Sequence, residues 1–237
     1  MTGVGGEDEL RRDLDLLVPA YAHPLADPEA WQRLVALAPW LRAVIVNVHN
    51  GPGDGEDAAY PDVLKALQEA GVRTVGYVDT DYGRRPVPQV VADVEAWLAR
   101  YDVRGVFLDQ VATGLDLLDQ YADVTVAARA RGADYVVLNP GAVPHPGYVD
   151  LANITITFEG PWRDYRRLAE PEWVRALPTS RFAHLVHEVP DAEALAASFR
   201  RAGRHHVRTF YATTGGGDNP WGVIPAELVE LLGARSG

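Results

Sequence analysis

The sequence predicts a single α/β domain folded as a (β/α)8 TIM barrel, and three observations support this fold. Eight short apolar segments alternate with helical patterns, as in proteins built on a parallel sheet. The length of 237 residues suits one such barrel, which typically needs about 250 residues. A doubly wound open sheet would carry a glycine-rich phosphate turn after its first strand, whereas this chain has YAHP at 21–24.

The first half of the chain alternates four predicted strands with four predicted helices. Asp27 before Pro28 is a typical helix start, with a capping side chain ahead of a proline in the first turn. The second strand is continuously apolar, as expected for a sheet covered on both faces, and the glycine-rich polar segment 49–57 is a loop. Gly71 and Gly132 end the second and fourth helices. The strands are 16–21, 43–48, 74–79 and 106–109. The first helix begins at residue 27, and the other three helices span 60–70, 87–100 and 115–131.

The second half repeats the alternation with one interruption. The proline-rich connection PHPG at 144–147 follows the fifth strand in place of a helix, and Asp191 and Gly203 bound the penultimate helix. The strands are 135–139, 154–159, 182–187 and 207–212; the helices are 162–168, 191–202 and 225–232. We therefore expect residues 1–237 to form one barrel domain, with residues 1–15 as a polar N-terminal lead.

Composition excludes several classes of function. A net charge of −11 repels phosphate backbones, so no nucleic-acid partner is expected. The absence of cysteine excludes thiol catalysis and disulfides. The one lysine, Lys65, lies on a predicted helix and faces away from the carboxyl ends of the strands, which argues against Schiff-base chemistry. The N-terminus lacks a signal-peptide pattern and no apolar run is long enough for a membrane span. We expect a cytoplasmic protein without membrane contact; its oligomeric state is not predicted.

Polar side chains collect at the carboxyl ends of the predicted strands, where sites lie in this fold. Each could be a helix cap or a loop hydrogen-bonding group, but the set as a whole favours a binding cleft. Two histidines could join Asp79 or Asp81 around a metal, yet their spacing has no ligand signature, so neither a metal nor a cofactor is predicted. The set comprises Tyr21, His23, Asn47, His49, Tyr77, Asp79, Asp81, Asp109, Gln110, Asn139, Glu159, His187, Glu188 and Tyr211.

Carboxylates and aromatic rings are the abundant groups at the mouth of the barrel, the end formed by the carboxyl ends of the strands. Together they favour a carbohydrate or polyhydroxylated small-molecule substrate. A glycosidase flanks the scissile bond with two carboxyl groups, and aromatic faces stack on the sugar. Asp109 and Glu159 end strands that are two apart in the barrel, so they should face each other across several ångströms. Tyr77, Trp162 and Tyr211 are candidate sugar platforms.

Six segments of the chain resemble the spherulation-specific family 4 (spherulin-4-like) proteins over about residues 18–168. They are YAHPL at 21–25, VNVHNGPG at 46–53, GYVDTDYGRR at 76–85, GVFLD at 105–109, LNPG at 138–141 and FE at 158–159. The resemblance implies a (β/α)8 barrel with a glycoside hydrolase cleft and activity on α-1,4-linked galactosamine-containing polysaccharide.

The resemblance also implies roles for individual acids. In the family the fourth strand ends in an Asp-Glu pair and the sixth in Phe-Glu; Asp109 and Glu159 match the first and last of these acids. Gln110 stands where the family has the middle acid, and an amide cannot transfer a proton at neutral pH. If that position supplies the proton, hydrolysis should be lost or slowed by roughly 10²–10⁴-fold; if it only positions the substrate, Asp109 and Glu159 suffice. Asp79 and Asp81 add two acids at positions that we expect to vary in the family.

Three hypotheses follow. The first is a glycoside hydrolase that uses Asp109 and Glu159. The second is a cytoplasmic enzyme of small-molecule metabolism that uses the acidic mouth for other acid–base chemistry, which Gln110 and the missing export signal favour. The third is a sugar-binding barrel without turnover.

Overall fold

The computed structural model describes residues 14–233 and confirms the (β/α)8 barrel. Eight parallel strands pair in sequence order, and β8 closes on β1. The strands are β1 (Asp15–Ala20), β2 (Leu41–Val46), β3 (Thr74–Asp79), β4 (Gly105–Asp109), β5 (Tyr135–Leu138), β6 (Ile154–Pro161), β7 (Phe182–His187) and β8 (Thr209–Ala212). The predicted polar lead falls almost wholly on residues 1–13, which lie outside the described residues, and Asp15 already belongs to β1.

Eight α-helices cover the outside of the barrel in residues 14–233. They are α1 (Pro28–Ala36), α2 (Tyr60–Glu69), α3 (Val87–Tyr101), α4 (Leu118–Ala130), α5 (Gly147–Leu151), α6 (Trp162–Tyr165), α7 (Ala192–Ala202) and α8 (Glu227–Gly233). The short helix α5 was not predicted, because prolines 144 and 146 indicate a turn and five residues are too few for a periodic pattern. The predicted helix 162–168 is shorter in the structure, and the segment before β7 contains the 3-10 turns Glu172–Ala176 and Thr179–Arg181.

Strand register aligns the polar residues at the carboxyl ends of the strands. Asp79 is the register partner of Asp109, and Asn139 follows Leu138, which pairs with Leu108. Because neighbouring parallel strands end side by side, these side chains meet at one mouth of the barrel.

A bulge in β6 turns Glu159 toward that mouth. The register with β7 shifts between Ile156 and Phe158, so Thr157 is an extra residue that breaks the strict alternation of side chains. Thr157 and Phe158 both contact His184. Glu159 consequently lies on the opposite side, toward the other acids.

Gly76 allows helix α3 to lie directly against β3. A Cβ atom at Gly76 would lie 2.4 Å from the Trp97 indole, a distance that only glycine avoids. The buried Trp97 indole N–H donates to the carbonyl of Tyr77 at 2.8 Å. This contact fixes the strand that carries Tyr77 into the candidate site.

Candidate active site

The centre of the mouth is an asparagine that connects two carboxylates. Asn139 is 4% exposed, and its amide nitrogen donates to Asp109 Oδ1 at 2.6 Å and also to Glu159 Oε2. Two acceptors of one amide nitrogen can lie no farther apart than two hydrogen-bond lengths, which is less than about 6 Å. One neutral side chain therefore holds both acids at a short, defined separation.

The LNPG segment explains the orientation of Asn139. Its Oδ1 atom accepts a hydrogen bond from the backbone N–H of Gly141 at 3.0 Å, an Asx-type turn. Gly141 has a φ of 67°, which glycine adopts without strain, and its carbonyl accepts from Glu159 N at 2.9 Å. The oxygen of the amide is thus engaged locally and its nitrogen faces the carboxylates.

Glu159 is the group whose proton affinity is most useful for catalysis. Burial, and secondarily the charge of Asp109, raise the pKa of Glu159 from 4.5 to about 7. Hydrogen bonds from Asn139 and from the Trp221 indole favour its ionised form and oppose that rise. A carboxyl group with a pKa near neutrality can donate and accept protons at physiological pH.

Asp109 has an environment that is richer in hydrogen-bond donors. Burial raises the pKa of Asp109, whereas hydrogen bonds from the Tyr77 hydroxyl, the Gln110 backbone and Asn139 favour its carboxylate form. The Tyr77 hydroxyl donates to Asp109, and burial followed by this negative charge raises the pKa of Tyr77. The donors around Asp109 suit a carboxylate that stays ionised beside a protonated neighbour.

Gln110 lies in the same cluster, in a backbone conformation that residues other than glycine seldom adopt. Its φ is 50°, in the left-handed region, and its carbonyl accepts from Tyr82 N at 2.7 Å and from Thr80 Oγ1 at 2.8 Å. Its side-chain amide hydrogen-bonds the Tyr77 hydroxyl. The residue is therefore directed at the Asp109–Tyr77 pair, where it donates a hydrogen bond and cannot supply an acidic proton.

Tyr21 completes the aromatic side of the mouth. Its ring packs edge to face against Tyr77, with centroids 5.7 Å apart. Burial, then the negative charge of Asp109, raises the pKa of the Tyr21 phenol well above its ordinary value, so it acts as a neutral hydroxyl. Tyr21, Tyr77 and the two acids thus form one contiguous group.

A cavity of about 460 Å³ opens beside Glu159. Its volume lies within the range usual for small-ligand sites. Four of its lining residues, Asp218, Asn219, Pro220 and Trp221, come from the loop after β8 and were not predicted from the sequence. The cavity is lined by Tyr21, Asn47, Val48, Asn50, Glu159, Asp218, Asn219, Pro220 and Trp221.

Tyr211 holds the loop that carries Trp221. It is fully buried, and its hydroxyl donates to the carbonyl of Val223 at 3.1 Å, which Thr213 Oγ1 also contacts at 2.8 Å. The Trp221 carbonyl accepts from Tyr21 N at 3.4 Å. Tyr211, predicted as a sugar platform, therefore lies beneath the site, and Trp221 presents the indole at its surface. A tryptophan in the loop after the last strand was the signal that could have identified it.

Two predicted site residues support neighbouring loops. Asn47 lines the cavity, but its Oδ1 atom accepts from Gly51 N at 2.8 Å. His23 pairs with Asp57 at 3.1 Å, which links the loops after β1 and β2. Their hydrogen bonds shape the rim of the mouth.

The remaining predicted residues lie at the periphery of the mouth or outside it, except Asp79, which is the register partner of Asp109. His49 and Asp79 line a second cavity of about 250 Å³, which shares Asn50 with the first. Asp81 forms an ion pair with Arg84. Trp162 lies in a groove lined by arginines on the outer surface. The mouth therefore unites Asp79, Asp109, Gln110, Glu159, Tyr21, Tyr77, Asn47 and Asn139, and leaves the other predicted residues at its periphery or outside it.

Two negative findings concern residues 14–233 alone. No group of three or more His, Asp or Glu side chains in that range is placed to hold a metal ion. None of the helices in the same range is long and apolar enough to span a bilayer.

Comparison with known proteins identifies a family. The model of spherulation-specific family 4 matches residues 15–234. Spherulin-4 of Physarum polycephalum is 31% identical over 173 residues, which make up 70% of this chain and 51% of that protein. The chain thus spans about half the length of this curated relative.

Solved structures with a similar fold include two carbohydrate-related barrels. Aspergillus clavatus Sph3, solved in complex with GalNAc, has a TM-score of 0.79 at 23% identity, and the match covers 95% of this chain and 98% of Sph3. The GH113 β-mannanase AaManA from Alicyclobacillus acidocaldarius has a TM-score of 0.51 at 10% identity, covering 89% and 88%. At these identities the likeness is one of fold, a (β/α)8 barrel. The match over residues 15–234 and the resemblance of the motifs together mean that this chain belongs to spherulation-specific family 4.

Proposed function

We propose that this protein hydrolyses glycosidic bonds in amino-sugar glycans, with α-1,4-linked galactosamine-containing chains as the substrate class. The observation that carries the proposal is the pair of partly buried carboxyl groups, Asp109 and Glu159, hydrogen-bonded to one asparagine nitrogen. Sph3, a structural neighbour, was solved with GalNAc, which supports an amino sugar as the ligand class.

The two acids have different roles in this proposal. Glu159, with a pKa of about 7, is the general acid, and Asp109, surrounded by donors, is the nucleophile. A separation of less than about 6 Å between the carboxyl oxygens, which the shared asparagine nitrogen requires, suits the retaining mechanism, in which no water has to fit between acid and sugar in the first step.

The reaction then has two steps. Glu159 protonates the glycosidic oxygen while Asp109 attacks the anomeric carbon, which breaks the bond to the leaving sugar and forms a glycosyl ester on Asp109. Glu159, now ionised, takes a proton from a water molecule whose oxygen attacks the same carbon and releases the carboxylate of Asp109. Trp221 donates a hydrogen bond to Glu159 and stabilises its ionised form between the steps.

Gln110 is a positioning residue in this scheme. Its amide donates to the Tyr77 hydroxyl, which in turn donates to Asp109. This chain of hydrogen bonds orients the nucleophile, and proton transfer is assigned to Glu159.

A sugar-binding protein without turnover is the second candidate, and Gln110 in place of the family's acid is the observation that favours it. Both candidates require sugar binding at the cavity beside Glu159; only hydrolysis requires the nucleophile.

The test is release of reducing ends from N-acetylated and de-N-acetylated α-1,4-galactosamine oligosaccharides, with binding measured in parallel by calorimetry. We expect Asp109→Asn to lower turnover by roughly 10³-fold or more with little change in binding. Asp62→Asn, on the exposed side of α2, is the matched control and should keep full activity. Binding without turnover by the wild-type chain would leave the sugar-binding candidate, and the absence of both would refute the proposal.

A further inference from the structure

A groove on the outer surface between α6 and α7 has an unusual composition for an acidic protein. The chain carries a net charge of −11, yet four arginines converge on one cavity of about 380 Å³. The partly buried Trp162 forms one wall. The lining residues are Trp162, Arg166, Ala197, Arg200, Arg201 and Arg204.

Three of these arginines have no side-chain partner within residues 14–233. Arg201 donates to the carbonyls of Tyr165, at 3.0 Å, and Arg166, so its guanidinium group is part of the wall. For the side chains of Arg166, Arg200 and Arg204, residues 14–233 supply neither a hydrogen-bond acceptor nor a carboxylate. Several other arginines in residues 14–233 are paired with acids, as in Arg73–Asp134, Arg85–Asp93 and Arg131–Glu95.

Helix electrostatics account for only part of this cluster. Arginines near a helix C-terminus are stabilised by the helix dipole, and Arg200 lies in the last turn of α7. Arg166 follows α6 instead, and Arg204 lies beyond the end of α7. Guanidinium groups from two elements therefore converge around one indole. The helix dipole does not explain this arrangement.

We propose that this groove binds an acidic oligosaccharide through the carboxylate groups of uronic-acid-type sugars. A guanidinium group matches the planar carboxylate with two parallel hydrogen bonds, and an indole face stacks on a sugar ring. The net charge of the chain disfavours long, densely charged phosphate polymers, whereas a short glycan with one carboxylate per ring brings few charges.

The groove is adjacent in the chain to the proposed hydrolase site. Trp162 follows Glu159 by three residues, across the end of β6. A glycan held in the groove would thus lie against the segment that positions the general acid. The groove is a second site, and its ligand binding does not depend on turnover at the mouth.

The probe is trigalacturonic acid, titrated into the full chain at low and at physiological salt by calorimetry. We expect saturable, salt-weakened binding that falls at least tenfold in the double variant Arg200→Ala/Arg204→Ala. Arg129→Ala, an exposed arginine on α4, is the matched control and should bind as the wild type does. Asp109→Asn should also bind normally, which separates this site from the proposed catalytic one.

Three further titrations identify the ligand class. Neutral galactotriose should bind at least tenfold more weakly, as should a triglutamate peptide of the same charge, and Trp162→Ala should weaken trigalacturonate binding. Equal affinity for the peptide would reduce the groove to a nonspecific anion surface and overturn the assignment to a sugar. Unchanged binding in the arginine double variant, or no saturable binding at low salt, would overturn the site itself.

Discussion

The hydrogen bond from Trp221 to Glu159 can be removed with little change in shape by the substitution Trp221→Phe. The indole is 7% exposed and contacts the rings of His187 and Tyr211, with centroids 5.6 and 6.2 Å away. Phenylalanine keeps an aromatic ring in this position and loses the N–H donor. The substitution therefore tests the electrostatic role of one donor.

The expected magnitude follows from the hydrogen bond. A hydrogen bond to a charged group stabilises it by about 1.5–3 kcal/mol, and one pH unit of pKa corresponds to about 1.36 kcal/mol. The indole favours the ionised form of Glu159, so its loss should raise the pKa of Glu159 by roughly one to two pH units. Since the first step needs protonated Glu159, the alkaline limb of the pH–rate profile should move upward by that amount.

The assay is kcat/KM as a function of pH on a galactosamine oligosaccharide, together with the pH dependence of tryptophan fluorescence without substrate. Wild-type fluorescence should change with a midpoint near 7, the pKa of Glu159, and this change should be absent from Trp221→Phe and Glu159→Gln. Trp162→Phe is the matched control, since its ring lies in the arginine groove. An alkaline limb that stays in place or moves downward in Trp221→Phe would refute the reasoning.

Three other substitutions have defined outcomes. The pKa of Glu159 rises from 4.5 to about 7 on folding, so the unfolding free energy of the wild type should fall by up to about 3 kcal/mol as the pH rises between those two values. In urea titrations, Glu159→Gln should remove this fall, and an unchanged pH dependence in the variant would contradict the assigned pKa. Gln110→Glu should alter kcat less than about tenfold, and a gain of 10²-fold or more, the scale of general acid catalysis, would move the proton donor to that position. Gly76→Ala should lower the free energy of unfolding by about 1–3 kcal/mol, because the new methyl group overlaps Trp97. Gly55 has open space around it, so Gly55→Ala should be nearly neutral. Equal unfolding midpoints for the two variants would disprove the close packing at Gly76.

The fold was predictable because each strand carries its own local signal. Continuous apolar runs, a capping residue before a proline and glycines at helix ends can each be recognised within a short segment. The barrel and its strand order therefore follow from the alternation of strands and helices alone. Element ends were less predictable: β2 begins at Leu41 and β8 at Thr209, because strand limits depend on the pairing partner as well as on the segment itself. The short helix α5 depends on packing against its neighbours and had no periodic signal.

The site was predictable in its chemistry and less so in its contacts. The carboxyl-end rule placed Asp109 and Glu159 at one mouth, but the role of Asn139 depends on strand register and on its turn with Gly141. Trp221 reaches Glu159 only because the loop after β8 folds back over β1, a long-range contact without a local pattern. Tyr211 and Trp162 have the right residue type at plausible positions, yet one is buried beneath the site and the other faces the outer groove.

The stereochemistry of hydrolysis tests the central claim most directly. Proton NMR of the anomeric signals, recorded in the first minutes of reaction on an α-linked galactosamine oligosaccharide, identifies the anomer that forms first. With Asp109 as nucleophile and both acids bonded to the same Asn139 nitrogen, the account predicts an α product, which then mutarotates. A β product formed first, or no cleavage of any amino-sugar glycan by the folded chain, would contradict it.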